Sequence, residues 1–221
     1  MRLSYPLSGD VSIAKWTHLI KETLGIVRAK SIDNCIYEVP KELQKVNEDA
    51  YRPHIVSIGP LHEGDHDLQA MDEHKWRYML HLLQRNPEQE KTLNECSMAI
   101  FSLEAKARGS YAKTIKFNTY ELAEILLVDG CFIIELLRFS GMHFEDDSDL
   151  IFHNDWMIPT LRHDLGLLES QIPFFVLEHL LEICVPHNLE LHTTQVSIHK
   201  IADLALYFFQ VKMSGEASRR I

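Results

Sequence analysis

Residues 122–139, LAEILLVDGCFIIELLRF, decide the fold of this chain. A helix built from this stretch is apolar on nearly every face, which is typical of a helix surrounded by other elements. Asn118 precedes it and can accept hydrogen bonds from the first backbone N–H groups of a helix, while Glu121 can reach back to the N–H of Asn118. The stretch therefore predicts a long central helix that begins just after Asn118.

Apolar residues recur at helical spacing on both sides of the central stretch. Gly109 is suited to ending the helix before it, and Pro173 to separating two helices after it. The predicted helices cover, in chain order, residues 11–28, 40–46, 68–85, 87–108, two segments on either side of Pro173, and 195–213. The chain has 221 residues, a length that favours one domain with at most a short appendage.

Two short strands are predicted near residues 35–39 and 54–58. The first segment alternates between polar and apolar residues, and the second is rich in β-branched residues and ends at Gly59 and Pro60. The fold class that follows is mainly α, a single compact helical domain with a small β element. We assign residues 1–34 to an N-terminal amphipathic helix and a variable lead-in, and residues 35–221 to the domain itself.

The charge of the chain argues against nucleic acid as a partner. It has 32 acidic and 22 basic residues, for a formal net charge of -10. Binding to phosphates needs a concentrated basic surface, whereas the basic residues here are scattered. No signal peptide or apolar run of membrane-spanning length is recognisable. We therefore expect a cytoplasmic location for the chain as given, and a membrane location only for a form with an additional C-terminal segment.

The four cysteines, Cys35, Cys96, Cys131 and Cys184, are far apart in the sequence and form no C-x-x-C pair. Cys131 and Cys184 lie in strongly apolar contexts, VDGCFII and LLEICVP. Free thiols in the core of a protein from a reducing compartment are favoured over disulfides or a metal site.

The segment from His62 to His66 reads H-E-G-D-H and matches the H-E-x-x-H signature of zinc proteases. That chemistry needs both histidines on one face of a helix, one turn apart. Gly64 disfavours a helix here, and Asp65 is suited to starting one, so we expect the two histidines to straddle a loop-to-helix boundary. A looser metal site remains an alternative, and its candidate ligands are His54, His62, His66 and His74.

Asp129 raises a second question, because ionised carboxylates are seldom buried without a partner. It could be a general acid or base with a raised pKa, or a hydrogen-bonded group that fixes helix packing, paired with Arg162 or another basic residue. Packing is the favoured interpretation. Asp164, Glu169 and Gln171 pose the same alternative, since they could form an internal polar network or line a pocket.

Several blocks of the sequence resemble, in the same order, the motifs of the plant-specific domain of unknown function 247 family. The blocks are CIYEVPKEL, YRPHIVSIGPLHEG, LQAMDEHKWRYM, LLVDGCFIIELL and IPTLRHDLGLLESQIPFFVLEHL, between residues 35 and 181. The chain departs from the usual family turn at Glu63, where the family commonly has histidine. The H-E-x-x-H match thus depends on a residue at which this chain differs from the family.

The resemblance implies a plant protein with a mainly helical domain and no known catalytic residues. It also implies a C-terminal transmembrane segment in typical members and, for some grass members, a link to self-incompatibility. The polar residues in the family motifs are His62, His74, Lys75, Asp129, Asp164, Glu169 and Gln171.

The function that we predict is that of a non-enzymatic recognition or signalling protein, which binds an unknown protein partner through its helical surface. No cofactor is expected, because phosphate-binding loops and dinucleotide-binding glycine motifs do not occur. The alternative is an enzyme whose site is built from the motif residues Asp129, Arg162, Asp164 and Glu169.

Overall fold

The computed structural model describes residues 13–29, 36–141, 150–185 and 201–210. The helices in these residues are α1 (Ile13–Ala29), α2 (Lys41–Gln44), α3 (Asp72–Gln84), α4 (Gln89–Gly109), α5 (Thr119–Gly141), α6 (Leu150–His153), α7 (Met157–Leu165), α8 (Phe174–Cys184) and α9 (Ile201–Gln210). Two 3-10 turns, Glu48–Ala50 and His66–Met71, lie between α2 and α3. The prediction of a mainly α fold is confirmed.

The chain divides into two compact units, Met1–Asp33 and Asn34–Ile221. In the first unit, helix α1 is amphipathic, as predicted, and several of its large apolar side chains are exposed, including Ile13, Trp16 and Leu24. The second unit holds all the other described helices. No helix in the described part of the chain is both long and apolar enough to span a membrane.

Helix α5 is the centre of the second unit, as the sequence predicts. It packs against α3, α4, α8 and α9, and its residues Leu122, Leu126 and Phe132 are completely buried. The cap at its start is also confirmed. The side-chain oxygen of Asn118 accepts from the N–H groups of Tyr120 and Glu121, and a Glu121 carboxylate oxygen accepts from the Asn118 N–H at 2.7 Å.

Helices α5 and α8 approach each other closely at Gly130. A Cβ atom added to Gly130 would lie 2.4 Å from Cδ1 of Leu180, which is itself fully buried on α8. Alanine at this position would force the Leu180 side chain to shift within the core, so glycine permits the present contact between the two helices, although it is a poor helix former.

The predicted β element is wrong. No strand occurs in the described residues, and Ile36 forms only an isolated parallel bridge with Tyr111. Around residues 54–58, three successive N–H groups donate to the carboxylate of Asp164 rather than to a neighbouring strand. The β-branched composition favours a strand, but a side chain supplies the acceptors that a strand partner would supply. Cys35 lies outside the described residues.

Candidate functional site

The carboxylate of Asp164, at the end of α7, is completely buried and accepts three backbone hydrogen bonds. Its oxygens lie 2.9 Å from the N atom of His54, 2.8 Å from that of Ile55 and 3.0 Å from that of Val56. The imidazole Nδ1 of His163 lies 3.0 Å from one of the same oxygens, so the carboxylate contacts four nitrogen atoms. Asp164 therefore holds the segment that precedes Gly59.

Glu169 lies in the connection between α7 and α8 and holds the same segment farther upstream. One of its carboxylate oxygens accepts from the N–H of Val39 at 2.6 Å and from the side-chain amide of Gln44 at 3.2 Å. The other lies 3.1 Å from Nε2 of His62. Burial lowers the pKa of His62, while the neighbouring Glu169 carboxylate acts to raise it, and burial dominates.

Asp129 is the third buried carboxylate that binds this segment. One oxygen accepts from the N–H of Gly59 at 2.7 Å, and the other lies 2.9 Å from Nζ of Lys75 on α3. Burial raises the pKa of Asp129, and Lys75 and the Gly59 N–H oppose that rise. The sequence predicts Arg162 or another basic residue as the partner of Asp129. The partner is Lys75, whereas the guanidinium of Arg162 lies over the ring of Phe208 at 5.1 Å.

We call Asp129, Asp164 and Glu169 the anchor carboxylates. Each accepts backbone N–H groups from the segment between Val39 and Gly59, which thereby satisfies donors that a helix or sheet would otherwise satisfy. All three make buried hydrogen bonds to this segment, and Asp129 also lines a surface cleft.

A cleft of about 280 Å³ opens on the surface next to Asp129. Its lining comes from the turn before the His66–Met71 segment, from the first turn of α3 and from the approach to α5 and its N-terminal half. The residues of this acidic cleft are Glu63, Asp72, Lys75, Trp76, Phe117, Glu121, Glu124, Ile125, Val128 and Asp129.

Lys75 forms the base of the acidic cleft, and its side chain is only 4% exposed. Besides the close contact with Asp129, its Nζ lies 3.7 Å from an oxygen of Asp72 and 3.8 Å from an oxygen of Glu63. Burial acts to lower the pKa of Lys75, but Asp129 and the other carboxylates outweigh it, so the pKa is raised. The ammonium group is therefore charged and already in contact with carboxylates.

Glu63 is held in the cleft wall with 27% of its side chain exposed. Burial raises its pKa, Lys75 acts to lower it, and the nearby carboxylates of Asp129, Asp72 and Glu124 raise it further. One ammonium group thus faces several carboxylates at this site. The net effect is that the ionised form of Glu63 is less favourable than that of an exposed glutamate.

The four candidate catalytic residues do not meet at this cleft. Asp129 lines it, whereas Arg162, Asp164 and Glu169 do not. As a group, the cleft residues Glu63, Asp72, Trp76 and Glu124 were not predicted from the sequence, although each lies in or beside a family motif. Their only common signal is acidic or aromatic character at positions far apart in the chain, and the sequence contains no pattern that brings them together.

The histidine candidates for a metal site are separated. Among the described residues, His54 lies with His163 and Asp164 in a group whose potential ligand atoms are within 4.8 Å of one another. The two imidazole rings are stacked, with centroids 4.3 Å apart, and the Asp164 carboxylate already accepts three N–H groups. A metal ion here would have to compete with the anchoring of the chain.

The other candidate histidines lie elsewhere. His62 contacts Glu169, and the exposed His66 lies near Asp67. Gly64 has a φ of 85°, and the carboxylate of Asp65 accepts from the Asp67 N–H at the start of the 3-10 turn. The loop-to-helix boundary is therefore where the sequence predicts it. His74 lies on α3, outside the lining of the acidic cleft.

Three cysteines lie together in the core. The Sγ atoms of Cys96 on α4 and Cys184 on α8 are 3.4 Å apart, and Cys131 on α5 hydrogen-bonds with Cys184. All three are buried free thiols, as predicted. The hydrogen bond with Cys184 and burial raise the pKa of Cys96, and the hydrogen bond with Cys131 and burial raise the pKa of Cys184. Thiols with raised pKa values are poor nucleophiles, so this cluster is suited to packing.

Comparison with known proteins adds a family to these observations. A family model described as a plant protein of unknown function, DUF247, matches residues 36–220. The UPF0481 protein At3g47200 of Arabidopsis thaliana is 36% identical over 146 residues, which are 66% of this chain and 30% of that protein. The putative UPF0481 protein At3g02645 of the same plant is 35% identical over 148 residues, which are 66% of this chain and 27% of that protein.

The matched region thus covers less than a third of the length of either curated relative. No solved structure is significantly similar to the chain.

Proposed function

Because the chain belongs to the plant protein family of unknown function DUF247, we propose that it is a non-enzymatic recognition domain that binds a protein partner through the acidic cleft. The observation that carries this proposal is that two of the anchor carboxylates bind only within the protein, whereas the third lies beside an open cleft. Asp164 and Glu169 are committed to backbone N–H groups, while the cleft beside Asp129 is open to solvent and has an aromatic residue, Trp76, at its rim.

The composition of the cleft supports binding over catalysis. Its side chains are carboxylates, one paired lysine, and aromatic and aliphatic groups, and no serine, cysteine or histidine lines it. A nucleophile activated by an adjacent base, as acyl transfer requires, is not present in this lining. The enzyme alternative requires Asp129, Arg162, Asp164 and Glu169 to meet at an open pocket, and they are distributed among separate interactions instead.

Trp76 is the side chain that we expect a partner to cover. It is 49% exposed on α3, at the rim of a concave surface. Tryptophan is enriched among residues that contribute most of the binding energy at protein interfaces. We further propose that recognition takes place in the cytoplasm, where the reducing environment would keep the buried Cys96 and Cys184 thiols free. A membrane tether in longer family members stays a prediction.

A photo-crosslinking experiment tests the recognition function. The variant Trp76→p-benzoylphenylalanine keeps an aromatic ring at the rim of the cleft, and Trp156→p-benzoylphenylalanine is its matched control, because Trp156 is 58% exposed at the start of α7, outside the cleft lining. We expect a protein from plant tissue to be crosslinked by the first variant only. The same protein, once purified, should bind the unmodified chain and lose affinity when Trp76→Ala is introduced.

Identical sets of crosslinked proteins from both positions would contradict the proposal. So would a purified partner whose affinity is the same for the unmodified chain and for Trp76→Ala.

A further inference from the structure

We propose that the acidic cleft receives a lysine or arginine side chain of the partner polypeptide, with its cationic group among the carboxylates and its alkyl stem against Trp76 and Phe117. This inference rests on the proposed recognition function and adds the chemical class of the ligand.

The charge of the lining is the first argument. Five carboxylates, those of Glu63, Asp72, Glu121, Glu124 and Asp129, line the cleft against the single ammonium group of Lys75. Lys75 is closest to Asp129, at 2.9 Å, and lies at 3.7 and 3.8 Å from Asp72 and Glu63. Its one charge cannot neutralise all of its neighbours, so a second cation would enter a site of negative potential.

The aromatic wall is the second, independent argument. Trp76 is half exposed, and Phe117 is partly buried against the core. A cation is attracted to the face of an aromatic ring, most strongly to that of tryptophan, and the methylene groups of lysine and arginine pack against apolar surface. A simple metal cation would use the carboxylates but has no methylene groups to pack against these rings.

The size of the cleft and the residues at its base further restrict the class of ligand that it can bind. Its volume of about 280 Å³ is at the lower limit of small-molecule sites, which suits one long side chain better than a nucleotide cofactor. An anionic ligand is disfavoured, because Lys75 is almost fully buried and already paired with Asp129, whose other oxygen is bound to the Gly59 N–H.

Peptide titration of the full chain tests the proposal. The probes are four capped pentapeptides, Gly-Gly-Xaa-Gly-Gly, in which Xaa is arginine, lysine, citrulline or norleucine, and spermidine forms a separate arm. Binding is followed through the indole resonance of Trp76 in NMR spectra. We expect the arginine and lysine peptides to bind, and the neutral citrulline and norleucine peptides to bind about tenfold more weakly, because the charged hydrogen bonds and the cation–π contact are lost.

Variants locate the binding. Glu124 is exposed on α5 within the cleft lining, and the hydrogen bonds and ion pairs found among the described residues do not involve it. Glu124→Gln should therefore leave the fold unchanged and weaken binding of the arginine peptide severalfold. Glu178→Gln is the matched control, since Glu178 is an exposed glutamate within α8 and outside the cleft. Thermal unfolding followed by circular dichroism verifies that both variants are folded.

Equal binding of the arginine and citrulline peptides would overturn the proposal, and so would equal effects of Glu124→Gln and Glu178→Gln. Spermidine binding more tightly than both cationic peptides would also overturn it, by assigning the cleft to free polyamines. If the peptides fail while the partner still crosslinks at position 76, the ligand class is wrong and the recognition function stands. If crosslinking also fails, both proposals are wrong.

Discussion

Gly59 is the residue at which the anchored segment meets the core. Its φ is 73°, and an added Cβ atom would lie 2.4 Å from the carbonyl oxygen of Gln171 and 3.2 Å from the hydroxyl oxygen of Tyr111. Its N–H donates to Asp129, which in turn holds Lys75 at the base of the acidic cleft. A side chain at position 59 would therefore disturb the contact between Asp129 and Lys75, and so the acidic cleft, without contacting a ligand.

We expect Gly59→Ala to lower the free energy of unfolding by about 3 kcal/mol, of which about 1–2 kcal/mol is left-handed strain and the rest comes from displacing the hydrogen bond to Asp129. Gly64→Ala is the matched control, because Gly64 has a φ of 85° but no atom within 4 Å of an added Cβ. Only the strain of about 1–2 kcal/mol should remain there. Urea denaturation measures both, and equal losses would show that the close contact with Gln171 has no energetic role.

The anchor carboxylates hold one segment of the chain by accepting hydrogen bonds from its backbone N–H groups. Asp164→Asn leaves one acceptor oxygen for the three N–H groups of His54, Ile55 and Val56 and turns an amide donor toward them. We expect a loss of about 3 kcal/mol in unfolding free energy, together with faster hydrogen exchange at these three amides. Asp155→Asn, at an exposed position nearby, should change neither. Unaltered exchange at residues 54–56 in Asp164→Asn would contradict this role.

The elements differ in how far the sequence predicts them. Helix α5 follows from its continuous apolar run and from the Asn118 cap, because both signals are local. The β-branched composition at Ile55 and Val56 predicts a strand, which does not form there. The acceptor of these N–H groups could not be predicted, since Asp164 lies more than 100 positions away and nothing in either segment identifies the other. The acidic cleft escapes prediction for the same reason, because it joins positions near 63, 75 and 124.

The crossing of α5 and α8 can be tested by a double-mutant cycle. Gly130→Ala should destabilise the protein, because its Cβ would clash with Leu180, and Leu180→Ala should cost about 2–5 kcal/mol by leaving a cavity. The double variant should lose less than the two single losses added together, since the new methyl group at position 130 occupies part of the vacated space. Strict additivity in chemical denaturation would mean that the two residues do not limit the approach of the helices.

At the scale of the whole molecule, the net charge of -10 favours any cationic ligand before contact is made. This long-range attraction is screened by salt, whereas contacts inside the cleft are screened less. Affinity for the arginine peptide should therefore fall with ionic strength in the unmodified chain, in Glu124→Gln and in Glu178→Gln alike. The ratio of affinities between Glu124→Gln and Glu178→Gln should change less, because it reports the carboxylate within the cleft.

The pH dependence of binding distinguishes the contribution of Glu63 in the cleft from that of the exposed carboxylates of the molecule. Burial raises the pKa of Glu63 above its ordinary value, with Lys75 acting to lower it and the carboxylates of Asp129, Asp72 and Glu124 acting to raise it. Glu63 therefore takes up a proton at a higher pH than an exposed glutamate. Since an ionised Glu63 attracts the ligand, affinity for the arginine peptide should be full above the raised pKa and decline as the pH falls through it.

The raised pKa of Glu63 affects the free energy of unfolding in the opposite direction from binding. The folded chain holds the Glu63 proton more tightly than the unfolded chain does, so the contribution of Glu63 to stability increases as the pH falls through its raised pKa toward the ordinary value. Binding and stability should thus move in opposite directions relative to Glu63→Gln, which mimics the protonated side chain at every pH. Titration of the arginine peptide and urea denaturation, each repeated as the pH is lowered from neutrality, measure the two trends. A parallel decline of both, relative to Glu63→Gln, would mean that acid loosens the fold and that Glu63 does not bind the cation.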